Sequence, residues 1–237
     1  MFENIIKNVH NRHPLIHCIT NYVSINDCAN IVLACGGAPI MAEDINEVSQ
    51  ITSICQGLDI NIGMLNDNKL SSMLKAGATA NELGIPVILD PVGAGSSDYR
   101  IKAVQNLMSN VQFGVIRGNV SEIKAIAAKQ GIHNIAAGVY ETMQKNKSAM
   151  GVEAGIADKI TDDNIKEMAD FINKLSKKTG AVIAVTGGID MVADENRVYA
   201  IRNGHKMMSL VTGAGCQLSA LTSAYVAADK EHILESE

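Results

Sequence analysis

Pro86-Val87-Ile88-Leu89-Asp90 has a uniformly apolar interior and ends on a carboxylate. A run this short and this apolar, bounded by turn signals, reads as a strand buried on both faces. A helical stretch over residues 69–83, stopped by Gly84, precedes it, and Pro91-Val92-Gly93-Ala94-Gly95 turns the chain after it. The same alternation extends in both directions. Toward the N-terminus lie strands at 15–20 (LIHCIT), 38–41 and 58–64. Between them are helices at 25–34, ended by Gly36-Gly37, and at 45–55, where Ile45, Val48, Ile51 and Cys55 share a side. Toward the C-terminus the pattern predicts a strand at 113–117, helices at 120–129 and 161–178, a strand at 181–186 (AVIAVT), a small hairpin from 191–193 and 197–201, and a last helix from near Gly213. Within 161–178, Ile165, Met168, Ala169, Ile172 and Leu175 fall on one face. Asp162 and Asp163 are expected in its first turn and Lys174, Lys177 and Lys178 near its end, an order that complements the helix dipole. Strands alternating with helices imply βαβ units: an α/β fold in three layers, with a mainly parallel central sheet. No shift in composition divides the chain, so residues 1–237 are expected to form one domain. Residues 131–150, polar and Ala-rich without a strong period, are expected to add an extra helix or loop.

The composition permits a sizeable core and narrows the function classes. Hydrophobic residues make up 47% and charged residues 19%, with a formal net charge of −5 and no basic run, which disfavours a nucleic-acid partner. A small anionic ligand needs only local positive groups and stays allowed. The five cysteines are odd in number and include no CxxC pair, so neither a disulfide framework nor a zinc knuckle is expected. Reduced thiols fit a cytoplasmic protein. The polar first thirteen residues are not a secretory signal, and no apolar run reaches the length of about 18 residues needed to span a membrane.

Ligands of open α/β sheets bind at the carboxyl ends of the strands. Those ends carry Thr20-Asn21, Met41, Asn61 with Gly63, Asp90, Arg117 with Asn119, and Thr186 with Gly187-Gly188. Any one of them is explained by capping of the helix that follows. Together with the turn Val211-Thr212-Gly213-Ala214-Gly215-Cys216 they make a polar rim. Glycines that open a helix there offer free N–H groups and a positive dipole end to an anion. The turn is neither GxxxxGK[ST] nor GxGxxG, which argues against a Walker P-loop and a dinucleotide fold. Asp90 can face a magnesium ion or a hydroxyl. Glu122 lies three residues after Asn119, where it can complete a capping box or help hold a hydrated magnesium ion. His13, His17 and Cys18 are close in sequence, but Pro14 interrupts any helix that would align them for a metal.

Asn119-x-x-Glu122 and a late helix opened by Gly-Ala-Gly resemble the ribokinase-like small-molecule kinases. Longer runs resemble one family in particular, the hydroxyethylthiazole kinases. They are PLIHCITNYVSINDCAN (14–30), GGAPIMAED (36–44), NIGML (61–65), PVILDPVGAGSS (86–97), RGNVSEI (117–123), GVEAG (151–155), AVTGGIDMVAD (184–194) and VTGAGCQLSA (211–220). The resemblance runs in order from about residue 14 to 228. It implies a ribokinase-like fold and magnesium-dependent transfer of the ATP γ-phosphate to the hydroxyl of 4-methyl-5-(2-hydroxyethyl)thiazole, in thiamine salvage. It implies that Arg117, Thr186 and Asn119 serve ATP and that Asn21, Val23, Met41 and Gly213 serve the thiazole. Asp90 and Glu122 then belong to the metal side, and Gly213, Ala214, Gly215 and Cys216 to the catalytic turn. It further implies a homotrimer with sites at subunit interfaces. Cys216 stands where ribokinase-like relatives usually carry an aspartate base. At a helix N-terminus its thiol is expected to have a depressed pKa and a modest base or positioning role. Relative to the family, residues 131–150 look inserted and the helices after residue 228 are expected to be shortened. The competing readings are a thiazole-binding protein without turnover, a kinase of the same fold for hydroxymethylpyrimidine or pyridoxal, and an ATP-dependent dehydratase.

Overall fold

A computed structural model describes residues 2–132 and 159–237. The expected extra element at 131–150 and the GVEAG run lie, but for Gly131 and Ile132, outside the described residues. Eight strands form one sheet among the described residues: β1 (Leu15–Ile19), β2 (Ala38–Ile40), β3 (Gly57–Asn61), β4 (Val87–Asp90), β5 (Val115–Asn119), β6 (Val182–Thr186), β7 (Asp190–Ala193) and β8 (Val198–Ile201). Their order is β2-β1-β3-β4-β5-β6-β7-β8. The first six run parallel, and β7 and β8 close the far edge as an antiparallel hairpin.

The helices are α1 (Phe2–Arg12), α2 (Ile25–Ala34), α3 (Val48–Ile54), α4 (Asp67–Glu82), α5 (Asp98–Asn110), α6 (Val120–Lys129), α7 (Ile165–Thr179), α8 (Ala214–Ala228) and the short α9 (Ile233–Ser236). Helices α3 to α7 cover one face of the sheet, while α8 lies on the other against β1, β3 and β4, flanked by α1 and α2. This is the expected three-layer α/β/α arrangement. Helix α8 is built from small residues and is buried nearly all round. It lies so close to the sheet that a Cβ on Gly57 would come within 3.1 Å of the Ala227 side chain.

Element ends departed from the periodic pattern where a side chain turned the backbone. The helix expected at 45–55 begins only at Val48, because Asp44 accepts from the Asn46 amide and closes a turn first. The strand expected to reach residue 64 stops at Asn61, whose side chain accepts from the Gly63 amide. The helix expected from 161 starts at Ile165, after Asn164 has accepted from the Thr161 amide. Asp162 therefore lies ahead of the helix, where it pairs with Arg202 instead of its dipole. The N-terminal helix α1 went unread, because its polar residues outnumber its buried ones.

Helix α4 meets the end of α5 at Gly77. A Cβ there would sit 2.5 Å from Val111 Cγ2 and 2.8 Å from its Cγ1. Val111 is buried and β-branched, so it cannot swing away. Gly77→Ala is expected to destabilise the protein by about 1–3 kcal/mol through overpacking, despite the better helix propensity of alanine. Thermal or denaturant unfolding checks this.

Candidate active site

The parallel register brings the polar strand ends side by side. Asn61 is opposite Asp90, and Asn119 is opposite Thr186. The Asn61 amide donates to Asp90 Oδ2 at 2.7 Å, and the Ser219 hydroxyl of α8 donates to the same oxygen at 2.8 Å. Asn21, at the end of β1, donates through Nδ2 to Asn61 Oδ1 and to Cys216 Sγ, both at 3.1 Å. Its Oδ1 accepts from the Val23 and Ser24 amides and from the Ser24 hydroxyl, which fixes the start of α2. The side chains of β1, β3, β4 and α8 therefore form one hydrogen-bonded chain: Cys216, Asn21, Asn61, Asp90, Ser219.

Gly213 caps α8 with φ +76°, and a Cβ there would lie 2.6 Å from Ser24 Cβ. Only glycine satisfies both the left-handed backbone and the approach of α2. The Ala214 amide reaches the Val211 carbonyl at 3.4 Å, while the Gly213, Gly215 and Cys216 amides begin the helix with N–H groups available to an anion. Met41 packs against the apolar cluster that contains Cys216, while Val23 is exposed on the rim above Asn21.

Arg117 lies beneath this turn, only 3% exposed. Its Nη1 donates to the Gly215 carbonyl at 2.8 Å and to the Ser219 hydroxyl at 3.1 Å, and its Nε lies 3.6 Å from Glu237 Oε1. The residue that the resemblance assigns to ATP thus also braces the glycine turn that opens α8. Thr186 is half-buried at the end of β6, and its hydroxyl reaches the Gly118 carbonyl at 3.4 Å.

Asn119 and Glu122 form a reciprocal capping box. Glu122 Oε2 accepts from the Asn119 amide at 2.8 Å, and Oε1 accepts from the Gly93 amide at 2.7 Å, which ties the β4–α5 turn to α6. Burial first, and the charge of Asp90 second, push the Glu122 carboxyl up to about 7. Burial also raises the Asp90 carboxyl, against the pull of Arg117, Ser219 and Asn61. Capping and a polar role therefore coexist in Glu122.

No group of three or more His, Cys, Asp or Glu side chains forms a metal cage among the described residues. His17 is spent on Thr52 Oγ1 and the Ala42 carbonyl. Magnesium needs no cage of that kind, because it keeps waters and takes phosphate oxygens with one or two carboxylates. Asp90 and Glu122 fit that demand: two hard-oxygen donors, both desolvated, with the Asp90 charge also raising Glu122, which a divalent cation would relieve.

The thiol of Cys216 behaves opposite to expectation. Burial, and then the negative charge of Asp90, push it above the usual thiol range, and bonds with Ser24, Asn61 and Asn21 only partly offset them. Those neighbours overrule the helix dipole, so at neutral pH Cys216 is a protonated thiol.

The profile of the hydroxyethylthiazole kinase family matches residues 6–236. The chain belongs to that family. It is 52% identical over 236 residues to the hydroxyethylthiazole kinase of Clostridium acetobutylicum, covering 100% of this chain and 81% of that protein. It is 44% identical over 221 residues to the one from Desulfovibrio desulfuricans, covering 93% and 72%. The solved hydroxyethylthiazole kinase protein of Pyrococcus horikoshii OT3 superimposes with a TM-score of 0.82 at 32% identity, over 99% of this chain and 79% of that one. A Bacillus subtilis pyridoxal kinase, at 16% identity and TM-score 0.61, shares the fold.

In this hydroxyethylthiazole kinase family member, the sequence had pointed to the strand ends but not to the parts that hold them. Ser219 falls in the run at 211–220, and only the fold shows it bonded to Asp90. Arg100 was missed; its guanidinium ties the Ile62, Gly63 and Val92 carbonyls and so fixes the loops beside Asp90. Lys69 was missed too, although a lysine on the stripe of Met73, Ala76 and Ala80 was a visible irregularity. A 510 Å³ hollow lined by Pro86, Gly114, Ala181 and Lys230 lies at the amino ends of the strands, away from this rim.

Proposed function

We propose that the protein transfers the γ-phosphate of ATP to the primary hydroxyl of 4-methyl-5-(2-hydroxyethyl)thiazole, with magnesium, in thiamine salvage. The observation that carries this reading is the chain from Asn21 through Asn61 and Asp90 to Ser219, closed onto the glycine-opened start of α8. The hydroxyl oxygen forms a bond to the γ-phosphorus, the bond to the β-bridging oxygen breaks, and ADP leaves. The loose transition state spreads charge over the transferred oxygens, so catalysis rests on positioning and charge stabilisation. The amides of Gly213, Gly215 and Cys216 face that charge, and Arg117 keeps their turn in place. Asp90 and Glu122 would hold magnesium, which supplies neutralisation of phosphate charge when bound. Asn21, Val23, Met41 and Gly213 line the alcohol side; Thr186 and Asn119 flank the nucleotide side.

Cys216 acts by positioning. A thiol raised in pKa is a poor acceptor, and with a loose transition state the hydroxyl proton leaves late, onto a phosphoryl oxygen and then to solvent. Cys216→Ser is expected to keep turnover within about tenfold of the parent, since serine also accepts from Asn21 and no strong base is lost. A steady-state pH profile checks this; disappearance of all turnover in Cys216→Ser, with substrate still bound, would restore the base role.

The assembly we propose is a homotrimer with sites at its interfaces. Its support is an exposed apolar run just ahead of the catalytic turn, with Met207 62% and Leu210 81% exposed beside Met208 and Val211. Buried, unpaired thiols in all five cysteines support a cytoplasmic setting. Incubation with hydroxyethylthiazole, ATP and magnesium, read by mass spectrometry, tests the activity. Thiazole phosphate and ADP in equal amounts are the expected products. A thermal shift with thiazole but no product would identify a binding protein, and phosphorylation of hydroxymethylpyrimidine or pyridoxal in its place would reassign the substrate.

A further inference from the structure

Lys69 occupies a position where the period of α4 calls for an apolar side chain, and it is buried. Its ammonium donates to the Thr20 carbonyl at 2.5 Å and pairs with Glu43 Oε2 at 2.8 Å. It also lies 4.4 Å from the centroid of the Tyr22 ring. The Tyr22 hydroxyl closes the figure by donating to Glu43 Oε1. One cation therefore joins three segments: α4, the end of β1, and the loop after β2.

The two loops are the ones that carry the alcohol side of the site. Thr20 and Tyr22 flank Asn21, and Glu43 follows Met41 by two residues. The second loop is also held from behind. A carbonyl only accepts, so His17 must donate through Nε2 to the Ala42 oxygen at 2.8 Å, leaving Nδ1 to accept from Thr52 Oγ1 at 2.9 Å. Burial lowers the His17 pKa, which keeps the ring in that neutral form. Residues 41–43 are thus fixed on both sides, by neutral His17 beneath and by Lys69 from the side of α4 and the end of β1. Tyr22 and Glu43 remain open to solvent, so this is the half that can be released without disturbing the core.

We propose that Lys69, Glu43 and Tyr22 form a clasp of positioning residues that sets the width of the alcohol-substrate pocket by fixing the Met41 loop against Asn21 and Cys216. The proposal rests on the kinase reading above. A fixed loop holds a small, flat acceptor in line for transfer. A released loop gives up that fit, which appears as weaker binding of the alcohol and leaves the nucleotide side untouched.

Steady-state kinetics of Glu43→Gln, Tyr22→Phe and Lys69→Met, with hydroxyethylthiazole and ATP each varied, test this. Glu43→Gln and Lys69→Met are expected to raise the KM for the alcohol by about tenfold, with the KM for ATP and kcat within about threefold, the pattern of lost ground-state positioning. Tyr22→Phe keeps the ring and loses one bond, so a smaller rise of about threefold is expected. Glu43 and Tyr22 are exposed enough that their variants fold even if Lys69→Met does not. No turnover in the parent protein would overturn the kinase reading itself. A parent that turns over, with variants whose alcohol KM is unchanged or whose two KM values and kcat shift together, would overturn the clasp.

Discussion

Asp90→Asn is expected to lower kcat by about a thousandfold while leaving the fold intact, because it removes one of the two carboxylates proposed to hold magnesium and little else. Both hydrogen bonds on the carboxylate go to Oδ2, from Asn61 and Ser219. An asparagine oxygen can accept both. The charge itself costs stability where it lies, since burial raises the Asp90 carboxyl. Its loss therefore does not weaken the protein in the way that truncation to alanine would. The measurements are kcat with magnesium varied and the unfolding midpoint. A variant that turns over within tenfold of the parent would remove Asp90 from the metal side, and one that fails to fold would make its role structural.

Glu122 gives the second large effect, as a dependence on pH. Its carboxyl ionises near 4.5 when exposed and at about 7 in the folded protein. Below the unfolded value it is protonated in both states and costs nothing. As pH rises from about 4.5 to 7 the unfolded chain ionises first. Stability from this group falls across that window, by roughly 3 kcal/mol at most, and levels off above it. Glu122→Gln is expected to flatten that slope. The gain above pH 7 is partly offset, because an amide accepts at one oxygen only and leaves the Gly93 or Asn119 amide, both bonded by the carboxylate, facing an NH2 group. The same ionisation predicts an acid limb near pH 7 in kcat/KM, since only the charged form serves a cation. Denaturant unfolding at pH 5 and pH 8, with the pH–rate profile, checks both. A parent whose stability does not change over this range would mean that the carboxylate is already compensated within the fold.

The order of strands and helices was legible because burial imposes short apolar runs on central parallel strands and a helical period on their cover. β4, α2 and α6 were read close to their observed bounds for that reason. Boundaries were lost wherever one side chain turned the backbone, as Asp44, Asn61 and Asn164 did, because period does not register a single hydrogen bond. The rim at the strand ends was legible for a topological reason: parallel strands deliver their carboxyl ends to one edge, so Asn21, Asn61, Asp90, Asn119 and Thr186 had to gather there.

The direction in which each group faces was decided only by the fold. The resemblance implied a nucleotide contact for Arg117, and its place at a strand end said nothing of the bond it makes to the Gly215 carbonyl under the Gly213 turn. Cys216 was read as an activated thiol from the helix dipole, a local property. Its real environment comes first from burial and then from Asp90, more than a hundred residues away in the chain. The period of α4 placed Lys69 on its apolar stripe, but its partners, the Thr20 carbonyl and Glu43, come from β1 and the loop after β2. By itself the sequence determined the layers, the strand order's polar edge and the family, because those follow from period, burial and long matching runs. The charge states and the bracing of the site came from tertiary structure, because desolvation and Coulomb interactions depend on distances that chain spacing does not contain.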